Sequence, residues 1–201
     1  MAKDPTKQRR KRPGKEITAS LAGQFLIAMP SMGDPRFSKT VIYMCVHDDE
    51  GAMGLVINKT LDSLRFPDIL EQLGITATIN IKDRVVHSGG PVEAGRGFLL
   101  HSTDFAVSDT EPVDDNIALT ATVDILRAVA NDDGPENSLF ALGYAGWSAG
   151  QLDLEIQDNG WLVAPADPAL IFDPDNETKW DRAIGLLGFD PTHLSGEAGR
   201  A

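Results

Sequence analysis

Cysteine and long apolar segments are the features that this sequence most clearly lacks. Its one cysteine, Cys45, cannot form a disulfide within the chain, and no C-x-x-C pair is present to suggest a zinc site. No apolar run approaches the roughly 20 residues that a membrane-spanning helix needs, and the N-terminus lacks the apolar segment of a secretory signal. We therefore expect a cytoplasmic protein without a membrane span, in which Cys45 is a buried thiol.

Histidine is scarce as well, and no two histidines have the spacing of a metal-binding motif. The acidic stretch at 173–184 lacks the glycine and the glutamate that complete a calcium-binding loop. The stretch at 33–40 lacks the second glycine of a phosphate-binding loop and precedes a strand-like run instead of a helix. We expect no metal and no bound cofactor. The four histidines are His47, His87, His101 and His193.

Positive charge is concentrated in a short N-terminal segment. Residues 1–15 contain seven of the 18 basic residues and one of the 30 acidic ones, a net charge of +6. The remaining chain then has 11 basic and 29 acidic residues, a net charge of −18. Because an acidic surface repels phosphate backbones, nucleic-acid binding by the body of the protein is disfavoured. We expect residues 1–16 to form a disordered basic tail, and contact with nucleic acid through that tail stays an alternative.

Hydrophobic patterning in the rest of the chain indicates one α+β domain over residues 17–190, followed by a C-terminal tail at 191–201. Runs rich in β-branched and aromatic residues predict strands, with a hairpin between about 37 and 60. Apolar residues at helical spacing predict helices at 66–73, 122–130 and 177–189, the second capped by Thr122. Strands are grouped early and helices are scattered later, which favours a mixed, largely antiparallel sheet with helices packed against it.

The segment Gly146-Trp147-Ser148-Ala149-Gly150 has the G-x-S-x-G spacing of a hydrolase nucleophile elbow. A buried strand is predicted before it and a helix after it, as that motif requires. However, the one histidine that follows Ser148 in the sequence is His193 in the C-terminal tail, whereas the hydrolase fold has acid and base after the nucleophile. Ser148 and Gln151 also form the S-x-x-Q pattern of a capping box, so we expect Ser148 to cap a helix or to belong to a turn.

Several short motifs, taken in order, resemble one bacterial protein family. They are G-Q-F-L-I-A-M-P at 23–30, H-S-G-G-P-V at 87–92, G-F-L-L-H-S at 97–102, A-L-G-Y-A-G-W-S-A-G-Q-L-D-L-E at 141–155 and K-W-D-R-A-I-G at 179–185. As a set they resemble the YqgE/AlgH family. The resemblance implies a small α+β fold with a partly barrelled sheet, a label as transcriptional regulator for one branch, and no particular reaction. The family pattern has glycine where this chain has Ser148, which implies that Ser148 is not a shared nucleophile.

Positions that match the family pattern define a candidate cleft. The Gly89–Pro91 turn and the bend that begins at Gly146 are backbone-permissive, and side by side they would expose N–H groups to a ligand. We expect a non-enzymatic binding or regulatory protein whose partner is a protein or a small molecule. One alternative is a serine hydrolase in which Ser148 recruits His87 or His101, and another is a transcription-related regulator that contacts nucleic acid through the tail. The candidate site residues are Gly89, Gly90, Pro91, His101, Tyr144, Gly146, Trp147, Gln151 and Glu155.

Overall fold

Ten β-strands and five α-helices follow one another along the part of the chain that the computed structural model describes, residues 20–81 and 84–188. The predicted tails at 1–16 and 191–201 lie outside the described residues. The strands are β1 (Gln24–Ala28), β2 (Val41–Asp48), β3 (Gly51–Val56), β4 (Thr60–Arg65), β5 (Val85–Ser88), β6 (Val92–Ser102), β7 (Thr110–Pro112), β8 (Ile117–Thr120), β9 (Ser138–Ser148) and β10 (Trp161–Pro165). The helices are α1 (Phe66–Gln72), α2 (Val123–Ala130), α3 (Gln151–Gln157), α4 (Pro168–Phe172) and α5 (Lys179–Gly185).

The strands form one curled sheet that is almost entirely antiparallel. The order across it is β10-β1-β2-β3-β9-β6-β8-β7, while β4 pairs with β5 and β5 runs parallel to β9. Strand β9 is central, because different parts of it pair with β3, β5 and β6. The prediction of one α+β domain with a mixed, largely antiparallel and partly barrelled sheet is confirmed.

Three apolar clusters form the core, and each involves a different set of helices. The largest includes residues of α4 and α5, among them Trp180, whose indole N–H donates to the carbonyl of Ala28 at 2.9 Å. The second includes Leu152 of α3 together with the ends of β3 and β9. The third includes α1 and α2, where Ile125 is fully buried. The helices therefore close the curled sheet on several sides and leave part of β2, β3, β6 and β9 open.

Local predictions held for element types and were wrong in some details. The hairpin predicted between 37 and 60 is confirmed by the pairing of β2 with β3. Its first strand begins at Val41 and not at Phe37, because Asp34 caps a single 3-10 turn over Pro35–Phe37. Thr122 does occupy the N-cap position of α2, but its side chain makes no capping hydrogen bond, and its buried Oγ1 has no partner among the described residues.

Residues 20–81 and 84–188 contain neither a helix that could cross a membrane nor a cluster of metal-ligating side chains. No helix in these ranges has both the length and the hydropathy to cross a membrane. These ranges also contain no group of three or more histidine, cysteine or acidic side chains arranged to hold a metal ion.

Candidate functional site

Strand β9 includes the first three residues of the G-x-S-x-G segment, and Ala149 and Gly150 form the turn that follows. Ser148 is the last residue of the strand and pairs with Gly51 of β3, while Gly146 pairs with Met53. The bend predicted to start at Gly146 therefore starts only after Ser148. A nucleophile elbow needs its serine on the sharp turn between strand and helix, whereas this serine lies within a strand pairing.

The side chain of Ser148 forms a short polar chain with α3. Its backbone N–H and its hydroxyl both donate to Oε1 of Gln151 at 3.1 Å, and Nε2 of Gln151 donates to Oε1 of Glu155 at 2.9 Å. Gly150 takes the N-cap position of α3 with a φ of 72°, and no side chain caps that helix. The prediction that Ser148 is the helix cap is thus wrong: only the glutamine half of the predicted capping box forms.

The described histidines are each bonded elsewhere. Nδ1 of His47 accepts the backbone N–H of Leu21 at 3.1 Å. His87 lies 3.3 Å from the carbonyl of Phe140, and His101 lies 2.9 Å from the hydroxyl of Thr120. His101 is fully buried, and burial lowers its pKa. None of these three imidazoles is hydrogen-bonded to the hydroxyl of Ser148, and His193 lies outside the described residues.

The Gly-Gly-Pro turn packs against the backbone of β9. The N–H of Gly89 donates to the carbonyl of Leu142 at 2.8 Å, and its carbonyl accepts the N–H of Val56 at 2.9 Å. A Cβ at Gly90 would overlap with the backbone of Tyr144, so only glycine allows this close approach. Pro91 is exposed. The turn is therefore next to β9, as the cleft hypothesis requires, but the amide and carbonyl of Gly89 are already used within the fold.

Glu155 ties two buried tryptophans to α3. Its Oε2 accepts the indole N–H of Trp147 and that of Trp161, each at 2.9 Å, and the two rings meet edge to face with centroids 5.9 Å apart. Both indoles are more than nine-tenths buried. Because both oxygens of this carboxylate have hydrogen-bond partners in the fold, Glu155 and Gln151 serve packing at the end of β9.

An open groove of about 840 Å³ crosses the exposed part of the sheet. Val46 of β2 pairs with Met53 of β3, and Met53 pairs with Gly146 of β9, so the three residues form one row on one face. Gly146 has no side chain at the end of that row, and the ring of Tyr144 packs over it, since an added Cβ would lie 3.0 Å from that ring. Val46 is 45% exposed, so the row is open to solvent. Phe98, Leu119 and Tyr144 continue the apolar lining toward β6 and β8.

Acidic side chains stand at both ends of this groove. Asp48 and Glu50 lie where β2 turns into β3, and Asp109 and Glu111 lie at β7 on the far side. Among the described residues, no lysine or arginine forms an ion pair with any of these four carboxylates. In the described lining the basic side chain is Arg96, which pairs with Glu93 at 3.0 Å and lies 5.0 Å over the ring of Phe98. The groove is therefore apolar along its length and negative at its ends.

A second, smaller cavity of about 150 Å³ contains His87 and Lys179. Burial, together with the nearby charge of Lys179, lowers the pKa of His87 to about 4. Burial also lowers the pKa of Lys179 to about 8. Nζ of Lys179 donates to the carbonyls of Ile57 and Ile171 at 3.0 and 2.9 Å, which ties α5 to the end of β3 and to α4. The hydrogen bonds that His87 and Lys179 form within the fold therefore account for the burial of both side chains.

Known proteins match this chain over nearly its whole length. A family model described as AlgH-like matches residues 25–192. A UPF0301 protein from Rhodospirillum rubrum is 55% identical over 181 residues, which cover 90% of this chain and 94% of that protein. The chain belongs to the AlgH-like family. A UPF0301 protein from Mesorhizobium japonicum is 54% identical over 188 residues, covering 90% and 93% of the two chains.

Two solved structures resemble this AlgH-like protein. The solution structure of the AlgH protein from Pseudomonas aeruginosa is 41% identical, has a TM-score of 0.75, and is matched over 95% of this chain and all of that one. A crystal structure from Corynebacterium diphtheriae is 20% identical with a TM-score of 0.65 and 87% coverage of both chains, and that likeness concerns the fold alone. The resemblance to the YqgE/AlgH family that the sequence motifs indicate is confirmed.

The AlgH-like motif residues divide between the groove and the structure behind it. Tyr144, Gly146 and Trp147 line the groove. The other six candidate residues lie outside its lining: Gly89, Gly90 and Pro91 in the turn against β9, Gln151 and Glu155 on α3, and His101 in β6. Sequence reasoning missed Val46, Met53, Phe98 and the acidic residues at the ends. One signal for them existed, because the acidic cluster at 48–50 in the sequence contributes Asp48 and Glu50.

Proposed function

We propose that this AlgH-like protein is a non-enzymatic binding protein whose groove takes an extended, cationic segment of a partner protein. The proposal is supported by the combination of an apolar lining with four carboxylates, at both ends, that form no ion pair with any described lysine or arginine. Apolar surface such as Val46 and Met53 gains free energy when a partner covers it, by roughly 25 cal/mol per Å². The four carboxylates select for positive charge and disfavour phosphate-rich partners.

The shape of the groove favours an extended segment over a compact small molecule. It runs from β2 across β3, β9 and β6 to β7, which is five strand spacings in the order of the sheet. At about 4.8 Å per spacing the path along the sheet is roughly 24 Å, which sets an upper limit of seven or eight residues of extended chain. The curl shortens the direct distance, since Tyr43 of β2 donates to Asp114, just after β7, at 2.6 Å. Every second side chain of such a segment points to the same face and can contact the apolar lining, while basic side chains near its two ends can reach the carboxylates.

The hydrolase alternative gains no support from the surroundings of Ser148. Its hydroxyl donates to an amide oxygen of Gln151, which is no base, and the described histidines are hydrogen-bonded to other groups. Nucleophilic catalysis by serine needs a base within hydrogen-bond reach of the hydroxyl and a third group that orients that base. We therefore favour binding without covalent chemistry.

A fluorescein-labelled peptide of alternating lysine and leucine, about eight residues long to match the groove, tests the proposal by fluorescence anisotropy. We expect saturable binding to the full-length protein at low ionic strength and no binding of the peptide in which glutamate replaces lysine. The double substitution Asp109→Asn and Glu111→Gln at one end of the groove should raise Kd about fivefold, because two unpaired carboxylates are lost.

A matched control separates this local effect from net charge. Asp158 and Glu177 are exposed, lie outside the groove, and make no side-chain hydrogen bond among the described residues. Asp158→Asn with Glu177→Gln changes the net charge by the same amount and should leave Kd unchanged. Equal weakening by both double variants, or no binding of the lysine peptide, would overturn the proposed function.

A further inference from the structure

We infer that the basic N-terminal tail of this chain, residues 3–15, occupies the acidic groove in the same molecule and competes with the partner segment. This inference rests on the proposed function of the groove and adds its regulation. It commits to one occupant, a segment of the chain that lies outside the described residues. Three properties of that segment support the inference: its attachment point, its length when extended and its charge.

The described chain begins at the edge of the groove. The hydroxyl of Ser20 donates to the carbonyl of His47 at 2.9 Å, and the N–H of Leu21 donates to Nδ1 of His47 at 3.1 Å. His47 lies in β2 between Val46 and Asp48, which both line the groove. Two hydrogen bonds thus fix residues 20–21 beside β2, near one acidic end of the groove. The ring of His47 and the side chain of Leu21 lie on the opposite face of the sheet from Val46 and Asp48, so a tail that occupies the groove has to pass around the edge of β2.

The tail is long enough to follow the groove to its other end. Eight residues separate Ser20 from Arg12, and an extended chain of that length spans roughly 26 Å. The path along the curled sheet from β2 to β7 is at most about 24 Å, so a chain of this length covers it. The K-Q-R-R-K-R run at 7–12 can therefore reach Asp109 and Glu111 without any change in the described fold.

The charges of the two segments are complementary. The tail has a net charge of +6, and the groove ends in four carboxylates without a basic partner among the described residues. A tethered segment has an effective concentration in the millimolar range, so even a weak contact is populated. Exposed charges within a Debye length of about 10 Å interact in a salt-dependent way, and occupancy should therefore fall in salt.

NMR spectra of the methionine methyl groups in the full-length protein test this inference. Met53 lines the groove, whereas Met44 is fully buried in the core and serves as an internal control. Replacement of Lys7, Arg9, Arg10, Lys11 and Arg12 by glutamine should shift the Met53 methyl signal and leave that of Met44 in place. About 0.5 M NaCl should move the Met53 signal of the wild type toward its position in the glutamine variant.

A charge-conserving variant controls for other effects of substitution in the tail. Arg9→Lys, Arg10→Lys and Arg12→Lys keep the charge, so the Met53 signal should stay at the wild-type position. An identical Met53 signal in the wild type and the glutamine variant overturns the inference. Salt-sensitive binding of a DNA duplex to the wild type and not to the glutamine variant, with Met53 unmoved, would assign the tail to nucleic acid and also overturn it.

The labelled lysine–leucine peptide distinguishes failure of this inference from failure of the proposed function. If the tail competes, the glutamine variant should bind the peptide about tenfold more tightly than the wild type, because the internal competitor is lost. Equal binding by both proteins overturns the competition and leaves the groove as a binding site. No binding by either protein overturns the proposed function, and the Met53 signal then decides separately whether the tail occupies the groove.

Discussion

The indole N–H of Trp147 and the carboxylate of Glu155 form a hydrogen bond of 2.9 Å that joins the end of β9 to α3. The same carboxylate oxygen accepts the indole N–H of Trp161 in β10. One acidic side chain therefore connects two strands and a helix behind the groove. This arrangement gives Glu155 a structural role and yields a direct prediction.

Glu155→Ala should lower the free energy of unfolding by about 2–4 kcal/mol, because it leaves two buried indole N–H groups without an acceptor. Glu155→Gln retains an amide oxygen for the indoles and should cost about 1 kcal/mol. Urea unfolding followed by circular dichroism measures both values. Asp158→Asn, one turn away on the surface, should change stability by less than about 0.5 kcal/mol. A Glu155→Ala protein as stable as this control would contradict the structural role.

A fluorophosphonate probe should not label Ser148. Such a probe reacts with a serine activated by a base, and the hydroxyl of Ser148 donates instead to the amide of Gln151. Mass spectrometry of the intact protein after incubation measures the labelling, with an active serine hydrolase as positive control. Stoichiometric labelling that Ser148→Ala abolishes would restore the hydrolase alternative.

Stability should fall as the pH drops from 6.5 to 4, in part because of His87. Burial lowers the pKa of His87 to about 4, so the folded protein keeps the imidazole neutral while the unfolded chain takes up a proton below about pH 6.5. The stabilisation is therefore complete above pH 6.5 and is lost toward pH 4, by about 3 kcal/mol in total.

Urea unfolding of His87→Gln across this pH range tests that assignment. The variant should show a pH dependence flatter by about 2–3 kcal/mol, while His101, whose pKa burial also lowers, contributes equally to both proteins. Parallel curves for the wild type and His87→Gln would show that His87 does not cause the loss.

Gly90→Ala should destabilise the protein by more than about 3 kcal/mol, because the new Cβ would overlap with the backbone of Tyr144 in β9. Gly95→Ala is the matched control, since nothing lies within 4 Å of a Cβ at Gly95. Thermal unfolding of the two variants should differ clearly in Tm. Equal Tm values would mean that the turn can move away from β9 at little cost.

Features that depend on neighbouring residues could be predicted from the sequence. The apolar spacing at 123–130 predicted α2, and the turn-rich segment before Gly51 predicted the β2–β3 hairpin. The order of the short motifs indicated the family. The charge contrast between the tail and the body is also a property of composition alone. These features follow from local periodicity and turn chemistry, which can be recognised in the sequence alone.

The role of the G-x-S-x-G segment and the position of the groove depend on contacts between segments that are far apart in the chain. Ser148 belongs to a strand because β9 pairs with β3, a contact between segments far apart in the chain. The groove brings together Val46, Met53, Phe98 and Tyr144 from four strands, and curling of the sheet sets their spacing. No local pattern encodes such a set, since strand register and sheet curvature arise from the packing of the whole domain.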